Sequence, residues 1–231
     1  MFMLNKLPLL GRCIEKFRRR PFPSNLTALR HCRISYSQFG EDLYLTSLLG
    51  YEKADGTFVD VGCFHPVVYS NTYIFYQRGW RGVAIDPNPE LAKVWSRFRP
   101  EDQFVNAAVA ATSGSKRYRV NRRFAACNRL LAENDTQQAT ADEYDLQVPA
   151  LSLTQILKER LKDKTIDLMS IDCEGFDLDV LGTLDFSVYA PRVIAVEDSD
   201  MALDSAIGKY LVSRGYVQRS HIGLTKIFAR A

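Results

Sequence analysis

The chain has 231 residues, 46% of them hydrophobic and 25% charged, which suits one compact domain with a filled core and excludes a disordered polymer. Thirty Lys and Arg against 27 Asp and Glu leave a formal charge of +3, too small to call for a nucleic-acid partner. The five cysteines, Cys13, Cys32, Cys63, Cys127 and Cys173, contain no C-x-x-C pair and no zinc spacing, so they read as reduced thiols of a cytoplasmic protein.

Residues 1–34 form a basic arm. Lys6, Arg12, Lys16, Arg18, Arg19, Arg20, Arg30 and Arg33 stand there against Glu15 alone. The apolar start is interrupted by Asn5, Lys6 and Pro8, is too short to span a bilayer and shows no small-residue cleavage site; no signal peptide is read. The arm is expected to be a solvated segment with a short helix. The alternative is an amphipathic contact with an anionic membrane, which would make the protein peripheral to the inner membrane face.

Residues 35–231 read as one catalytic-sized domain. Leu43, Leu45, Leu48 and Leu49 fall at helical spacing, with Ser37 as a cap and Glu41 and Asp42 at the positive end. Gly56 turns into a strand over 57–62, and His65-Pro66 then forces an extended loop. Ser70 and Asn71 cap a helix to Tyr76 or Gln77, stopped by Gly79. A strand over 82–86, a helix from Pro89 to Phe98 and a strand from Gln103 to Ala110 follow. Residues 111–150 are less regular, with a turn at Ser113-Gly114, an extended 117–120 and a polar loop from Asn134 to Asp145; this reads as a substrate-side insertion. Then come a helix from Leu153 to Leu161, a strand from Ile166 to Ile171 and a helix from Phe176 to Leu184. A strand from Val193 to Val196, a helix from Ala202 to Arg214 and an antiparallel pair (216–220 and 225–229) around Gly223 complete the chain.

Strands alternating with helices imply a mainly parallel, Rossmann-like sheet covered on both faces. Right-handed crossovers gather the strand C-termini on one rim, which brings together Asp60, Asp86, Asp172 and Glu197. Asp86 follows Asp60 by 26 residues, near the roughly 20 expected of a ribose-binding acid in a β-α-β unit. A carboxylate there accepts hydrogen bonds from both ribose hydroxyls. A dinucleotide would want G-x-G-x-x-G at the first turn, whereas this turn, Gly62-Cys63-Phe64-His65-Pro66, has one glycine. An adenosine cofactor without a pyrophosphate, S-adenosylmethionine, suits it better.

The chain resembles the FkbM-type methyltransferases that use S-adenosylmethionine. The resemblance rests on SQFGED (37–42), FVDVGCFHP (58–66), SNT (70–72), GWRGVAIDPNP (79–89), NAAV (106–109), IDLMSIDCEGFDLDVL (166–181), VIAVE (193–197) and KIFAR (226–230), in that order. The arm lies outside it, and residues 111–150 match poorly. It implies a class I methyltransferase fold, a seven-stranded doubly wound sheet whose last strand is antiparallel. It also implies O-methylation, commonly of a sugar hydroxyl in a glycan or natural product.

Candidate roles follow. Asp60 and Gly62 form the turn under the amino-acid half of the cofactor, and Asp86 binds its ribose. Asn106 and Ala107 meet the adenine, or Asn106 only satisfies loop backbone. By resemblance, Gln38, Glu41 and Asp42 close over cofactor or substrate. Ser70 and Asn71 receive the methionine carboxylate or are plain caps. Asp172 and Glu174, two apart, face one side if extended, and either serves as general base. With Glu197 they alternatively hold Mg²⁺ or another hard divalent cation. His65 is a further candidate base. The expected partner is a small-molecule or glycan acceptor. Competing readings are a nucleic-acid or protein methyltransferase and a non-catalytic S-adenosylmethionine-binding module. Asp86-Pro87-Asn88-Pro89 superficially resembles the D-P-P-Y of amino-methylating enzymes, but it ends the second strand and no aromatic follows.

Overall fold

The computed structural model describes residues 31–123, 128–132, 134–161, 165–202 and 204–231. The arm up to residue 30 lies outside the described residues. Ser35–Ala231 forms one compact unit. Its elements are α1 (Glu41–Leu49), β1 (Thr57–Val61), α2 (Tyr73–Tyr76), β2 (Arg81–Ile85), α3 (Leu91–Phe98), β3 (Gln103–Val105), β4 (Ala108–Val109), β5 (Gly114–Asn121), β6 (Arg129–Leu130), β7 (Glu143–Leu151), α4 (Leu153–Arg160), β8 (Leu168–Ile171), α5 (Asp177–Gly182), β9 (Val193–Glu197), α6 (Ala206–Val212), β10 (Tyr216–Ile222) and β11 (Thr225–Arg230).

Seven strands make the main sheet, in the order β3-β2-β1-β8-β9-β11-β10. β1, β2, β3, β8 and β9 run parallel, and β11 enters antiparallel between β9 and β10. The order reverses at β1, where β2 leaves to one side and β8 to the other. That switch point opens a crevice at the carboxyl ends of the strands.

The alternation within β1 shows why both faces are covered. Val59 and Val61 join Val83, Ile85, Met169, Ile171, Ile194 and Val196 in a core closed by Leu153, Ile156 and Leu157 of α4, Val180 and Leu181 of α5, and Leu211 of α6. Phe58, on the opposite face, packs with Leu45 and Leu49 of α1 and with Phe75, Trp80 and Ile227. Successive residues of a strand point to opposite faces, so a run with apolar residues on both faces must be sandwiched.

Two expectations need correction. The strand foreseen over 103–110 is two strands in two sheets. Ala107 donates its N–H back to the Val105 carbonyl, and the Asn106 amide donates to the Asp86 carbonyl, so the chain turns out of the main sheet between β3 and β4. The insertion is also more regular than its composition suggests. β4, β7, β5 and β6 form a second sheet, with β5 and β7 antiparallel along Gly114–Asn121. Its own small core holds Ala108, Tyr118, Val120, Val148 and Ala150. Buried Arg119 of β5 forks onto Asp145 of β7 at 2.8 and 3.0 Å.

Among the described residues no helix is long and apolar enough to cross a membrane. Gly82 lies opposite Phe58 in the β1–β2 register, and a methyl group there would run into the Phe58 carbonyl and ring. Gly82→Ala is therefore expected to lose about 1–3 kcal/mol of stability in urea unfolding through overpacking; an unchanged midpoint would contradict this packing.

Candidate active site

At the switch point a cleft of about 320 Å³ opens, within the size of small-molecule sites. Asp60 is the penultimate residue of β1, Asp86 follows β2, Asp172 follows β8 and Glu197 ends β9, and all four line it. The rim foreseen from the strand pattern is thus formed. Gln38, Glu41, Gly62, Ser70, Asn71, Ala107 and Glu174 line it as well.

The floor is a close approach of two backbones. Gly62 has φ 72°, and a Cβ on it would collide with the Asp172 carbonyl. Only glycine lets the β1 turn pass beneath the end of β8. Phe64 (φ 42°), Tyr69 (φ 57°) and Glu174 (φ 52°) are the non-glycine residues at positive φ among the described residues, and all three line this cleft. Backbone strain is concentrated where the ligand would sit.

Asp60 is buried, and the Thr72 hydroxyl donates to it at 2.5 Å. Asp86 is buried and accepts from the N–H groups of Asn88 (2.8 Å) and Phe64 (3.1 Å). Burial pushes its carboxyl up to about 7 despite those bonds. Each oxygen keeps a lone pair for a ligand hydroxyl. The cradle, the paired acids and the room available fit the adenosine and amino-acid halves of S-adenosylmethionine.

Asp172 and Glu197 lie on neighbouring parallel strands, one residue beyond the Ile171–Val196 register pair, and their side chains share a hydrogen bond. Two carboxyl groups in hydrogen-bond contact favour taking up one proton between them, which raises the pair. Burial, then the Glu197 charge, raises Asp172 well above the usual carboxylate range, although water reaches it in the open cleft. Glu197 is raised too, chiefly by burial.

The same contact bears on the cation expectation. β8 stops at Ile171, and Glu174 sits in a left-handed turn whose N–H bonds Asp172, so the extended geometry assumed for the Asp172–Glu174 pair is not present. Among the described residues no three His, Cys, Asp or Glu side chains are disposed to hold a metal ion. Asp172, Glu174 and Glu197 do not form a ready-made ligand set for Mg²⁺ in this arrangement. The turn is held instead by Asp177, whose carboxylate accepts from the N–H groups of Cys173 (2.9 Å) and Gly175 (3.1 Å). Partial burial, followed by the charges of Asp172 and Asp177, lifts Glu174 to about 7.

Three other candidates lie outside the cleft lining. Asp42 is fully buried and outside the cleft lining; it accepts from Ser35, Ser37 and the Tyr36 N–H, pinning the segment that presents Gln38 and Glu41. Asn106 braces the β2 end through the Asp86 carbonyl. His65 lies outside the cleft lining, with Nδ1 accepting from the N–H groups of Val67 (3.1 Å) and Val68 (3.0 Å). Burial lowers its pKa. Of the pair read as caps, Ser70 accepts the Tyr73 N–H at the start of α2, while the Asn71 amide donates across to Ser170 of β8.

Sequence reasoning missed Tyr118, Asn128 and Arg129, which the second sheet brings over the cleft. Arg129 is the one cationic residue among the described lining residues. Only the strand pairing of the insertion locates them, and its polar composition hid that pairing. Leu224 and Thr225 enter from the β10–β11 turn, where Gly223 packs flat against the Phe39 ring.

A doubly wound sheet with an antiparallel β11 and a ligand cleft at its switch point defines a class I methyltransferase. The Methyltransferase FkbM domain model matches residues 60–217, more than half of the chain. The protein belongs to the FkbM family of methyltransferases dependent on S-adenosylmethionine. No curated protein matches it. Solved structures resemble it distantly. The didemethyltoxoflavin N1-methyltransferase of Burkholderia thailandensis has TM-score 0.41 at 13% identity, over 82% of this chain and 75% of that one. The METTL16 methyltransferase domain has TM-score 0.43 at 11% identity, over 82% and 65%. A TehB-like methyltransferase from Corynebacterium glutamicum has TM-score 0.39 at 11% identity, over 96% and 97%.

The raised acids fix a pH dependence. Asp86, Glu174 (both about 7) and Asp177 (about 6) bind protons more tightly folded than unfolded, where carboxyl groups titrate near 4. Their ionisation in the folded state therefore lowers stability as pH rises from about 4 through about 7. Acids with lowered values, such as Asp167 and Asp198, are ionised in both states above about pH 5 and add no slope there. The ligand-free melting temperature is expected to fall by about 5 °C between about pH 5.5 and about pH 8, and Asp86→Asn should flatten the curve. Calorimetry showing a rise over that interval would contradict the assignment.

Proposed function

We propose that the protein transfers a methyl group from S-adenosylmethionine to a hydroxyl oxygen of a sugar or similarly polyhydroxylated acceptor, with Asp172 as general base. The observation that carries this reading is the Asp172–Glu197 pair, two hydrogen-bonded carboxyl groups at the floor of the cleft with Asp172 raised toward neutral. A hydroxyl attacks poorly while protonated, and a base serves best when its pKa lies near the working pH.

S-adenosylmethionine, when bound, supplies a sulfonium methyl whose C–S bond breaks with its electron pair to sulfur as the O–C bond forms. Asp60 and Gly62 lie where the amino-acid half would rest, and Asp86 accepts the ribose hydroxyls. Gln38, Glu41, Ser70 and Asn71 close the sides, and Ala107 offers an apolar contact to the adenine. Asp172 takes the acceptor proton, and Glu197 stabilises the protonated form by sharing it. Buried Glu41 is held at the rim by the Phe39 N–H (2.8 Å) and Thr225 (3.4 Å).

Charge supports the acceptor class. A cleft lined by six carboxylates from Glu41 to Glu197, with Arg129 the cation among the described lining residues, disfavours a polyphosphate backbone and favours hydroxyl donors.

Asp172→Asn is expected to lower turnover about 100-fold or more while S-adenosylhomocysteine affinity stays within about threefold. The measurement is transfer of a ¹³C-methyl group to a panel of sugars, sugar nucleotides and lipid-linked glycans, with NMR distinguishing O-methyl from N-methyl products. Undiminished turnover in the variant removes Asp172 as base. Loss of wild-type turnover in EDTA, restored by Mg²⁺, would put a cation in its place.

A further inference from the structure

Arg99 closes α3 and is fully buried. It is enclosed by the rings of Phe58, Tyr76 and Trp95, with its guanidinium carbon 4.9, 5.1 and 4.4 Å from their centroids. Nε donates to Asp102 at 2.7 Å. Nη1 donates to Thr72 Oγ1 at 2.9 Å, and more distantly to the Pro66 carbonyl (3.3 Å) and Ser70 Oγ (3.4 Å). Nη2 has no partner among the described residues. A buried guanidinium with an unspent donor is a poor device for stability, since apolar residues of similar volume often serve as well or better. Its placement needs another reason.

The reason lies one bond further. Because Arg99 occupies a lone pair of the Thr72 hydroxyl, the hydroxyl proton is directed to the Asp60 carboxylate at 2.5 Å, far nearer than the Ser70 hydroxyl at 3.4 Å. Donor chains of this kind polarise one another in a low-dielectric interior. We infer that Arg99 and Thr72 are positioning residues for the methyl donor, the guanidinium orienting the Thr72 hydroxyl and the hydroxyl holding the Asp60 carboxylate in its cleft-facing, charge-bearing form. This rests on the reading of the cleft as the S-adenosylmethionine site.

Electrostatics give the relay something to do. Burial drives Asp60 toward the neutral acid; Arg99 and then the Thr72 hydrogen bond oppose it, and Asp102 partly cancels Arg99. Asp86, Asp172 and the Cys63 thiol also face Asp60 from the neighbouring turns and strand ends. Arg99 is the cation in this set, so Asp60 would take up a proton at higher pH without the relay. Thr72 also starts α2, so the same guanidinium fixes the Ser70–Thr72 segment on the cleft wall.

The test is isothermal titration of S-adenosylhomocysteine into the full chain between about pH 6 and about pH 9. Asp86 gives the unsubstituted protein an acid limb near 7. Thr72→Val, isosteric but without the donor, is expected to steepen that limb and move its midpoint up by about one pH unit. Affinity near neutral pH would fall about tenfold and return to within about threefold at the alkaline end. Thr72→Ser should keep the wild-type profile, and Arg99→Lys should move it in the direction of Thr72→Val. A purely structural Thr72 predicts a loss that is equal at every pH. Such a loss, or an unshifted limb, overturns the relay. If the unsubstituted protein binds no S-adenosylhomocysteine at any pH, the cofactor reading fails and the relay with it.

Discussion

Like charge gathered in a half-dry cleft is the constraint around which this molecule is arranged. Parallel strands must end on the same side of a sheet, so acids placed at four strand ends meet whether or not their repulsion favours it. Desolvation raises Asp60, Asp86 and Asp172 together, and each neighbour adds to the next. The surrounding structure answers with aimed donors: the Thr72 hydroxyl to Asp60, two N–H groups to Asp86, and the Glu174 N–H to Asp172. A ligand that brings hydroxyl donors and a positive sulfur completes what the protein leaves open.

Strain and charge coincide. Phe64 gives its N–H to Asp86 from a left-handed backbone, and Glu174 gives its own to Asp172 from another. Both residues spend conformational energy to deliver a donor that a relaxed turn would point elsewhere. Gly62 carries the complementary burden, bringing β1 under β8 so closely that no side chain can stand between them. Catalytic geometry here is set by backbone as much as by side chains.

Much of the main sheet was legible. Predominantly apolar runs such as Phe58–Val61 and Leu168–Ile171, each broken by one polar residue, have one solution when bounded by glycine turns and helical segments, and the acids within or just beyond them mark the rim. What escaped was set by tertiary pairing. Residues 103–110 read as one apolar strand, yet the Asn106 amide is claimed by the Asp86 carbonyl and the chain leaves the sheet. β7 begins in a polar stretch whose order comes from β5 alongside it, including the Arg119–Asp145 fork. Asp42 and Asn106 carry the residue types of ligand contacts, yet their side chains bond Ser35, Tyr36, Ser37 and the Asp86 carbonyl outside the cleft lining, and no periodicity marks that difference. The Asp172–Glu174 spacing misled for a related reason, because the two-residue rule holds only while the strand continues and β8 had already stopped.

The departure of β4 from the main sheet divides labour within the fold. The second sheet joins the scaffold through two short passages, one at Asn106–Ala107 and one at Ser152, and rests on a core of its own. Tyr118, Asn128 and Arg129 hang over the cleft from that module, whereas the acids beneath belong to the scaffold. A change confined to that sheet would therefore reshape one wall of the cleft while the four strand-end acids keep their places.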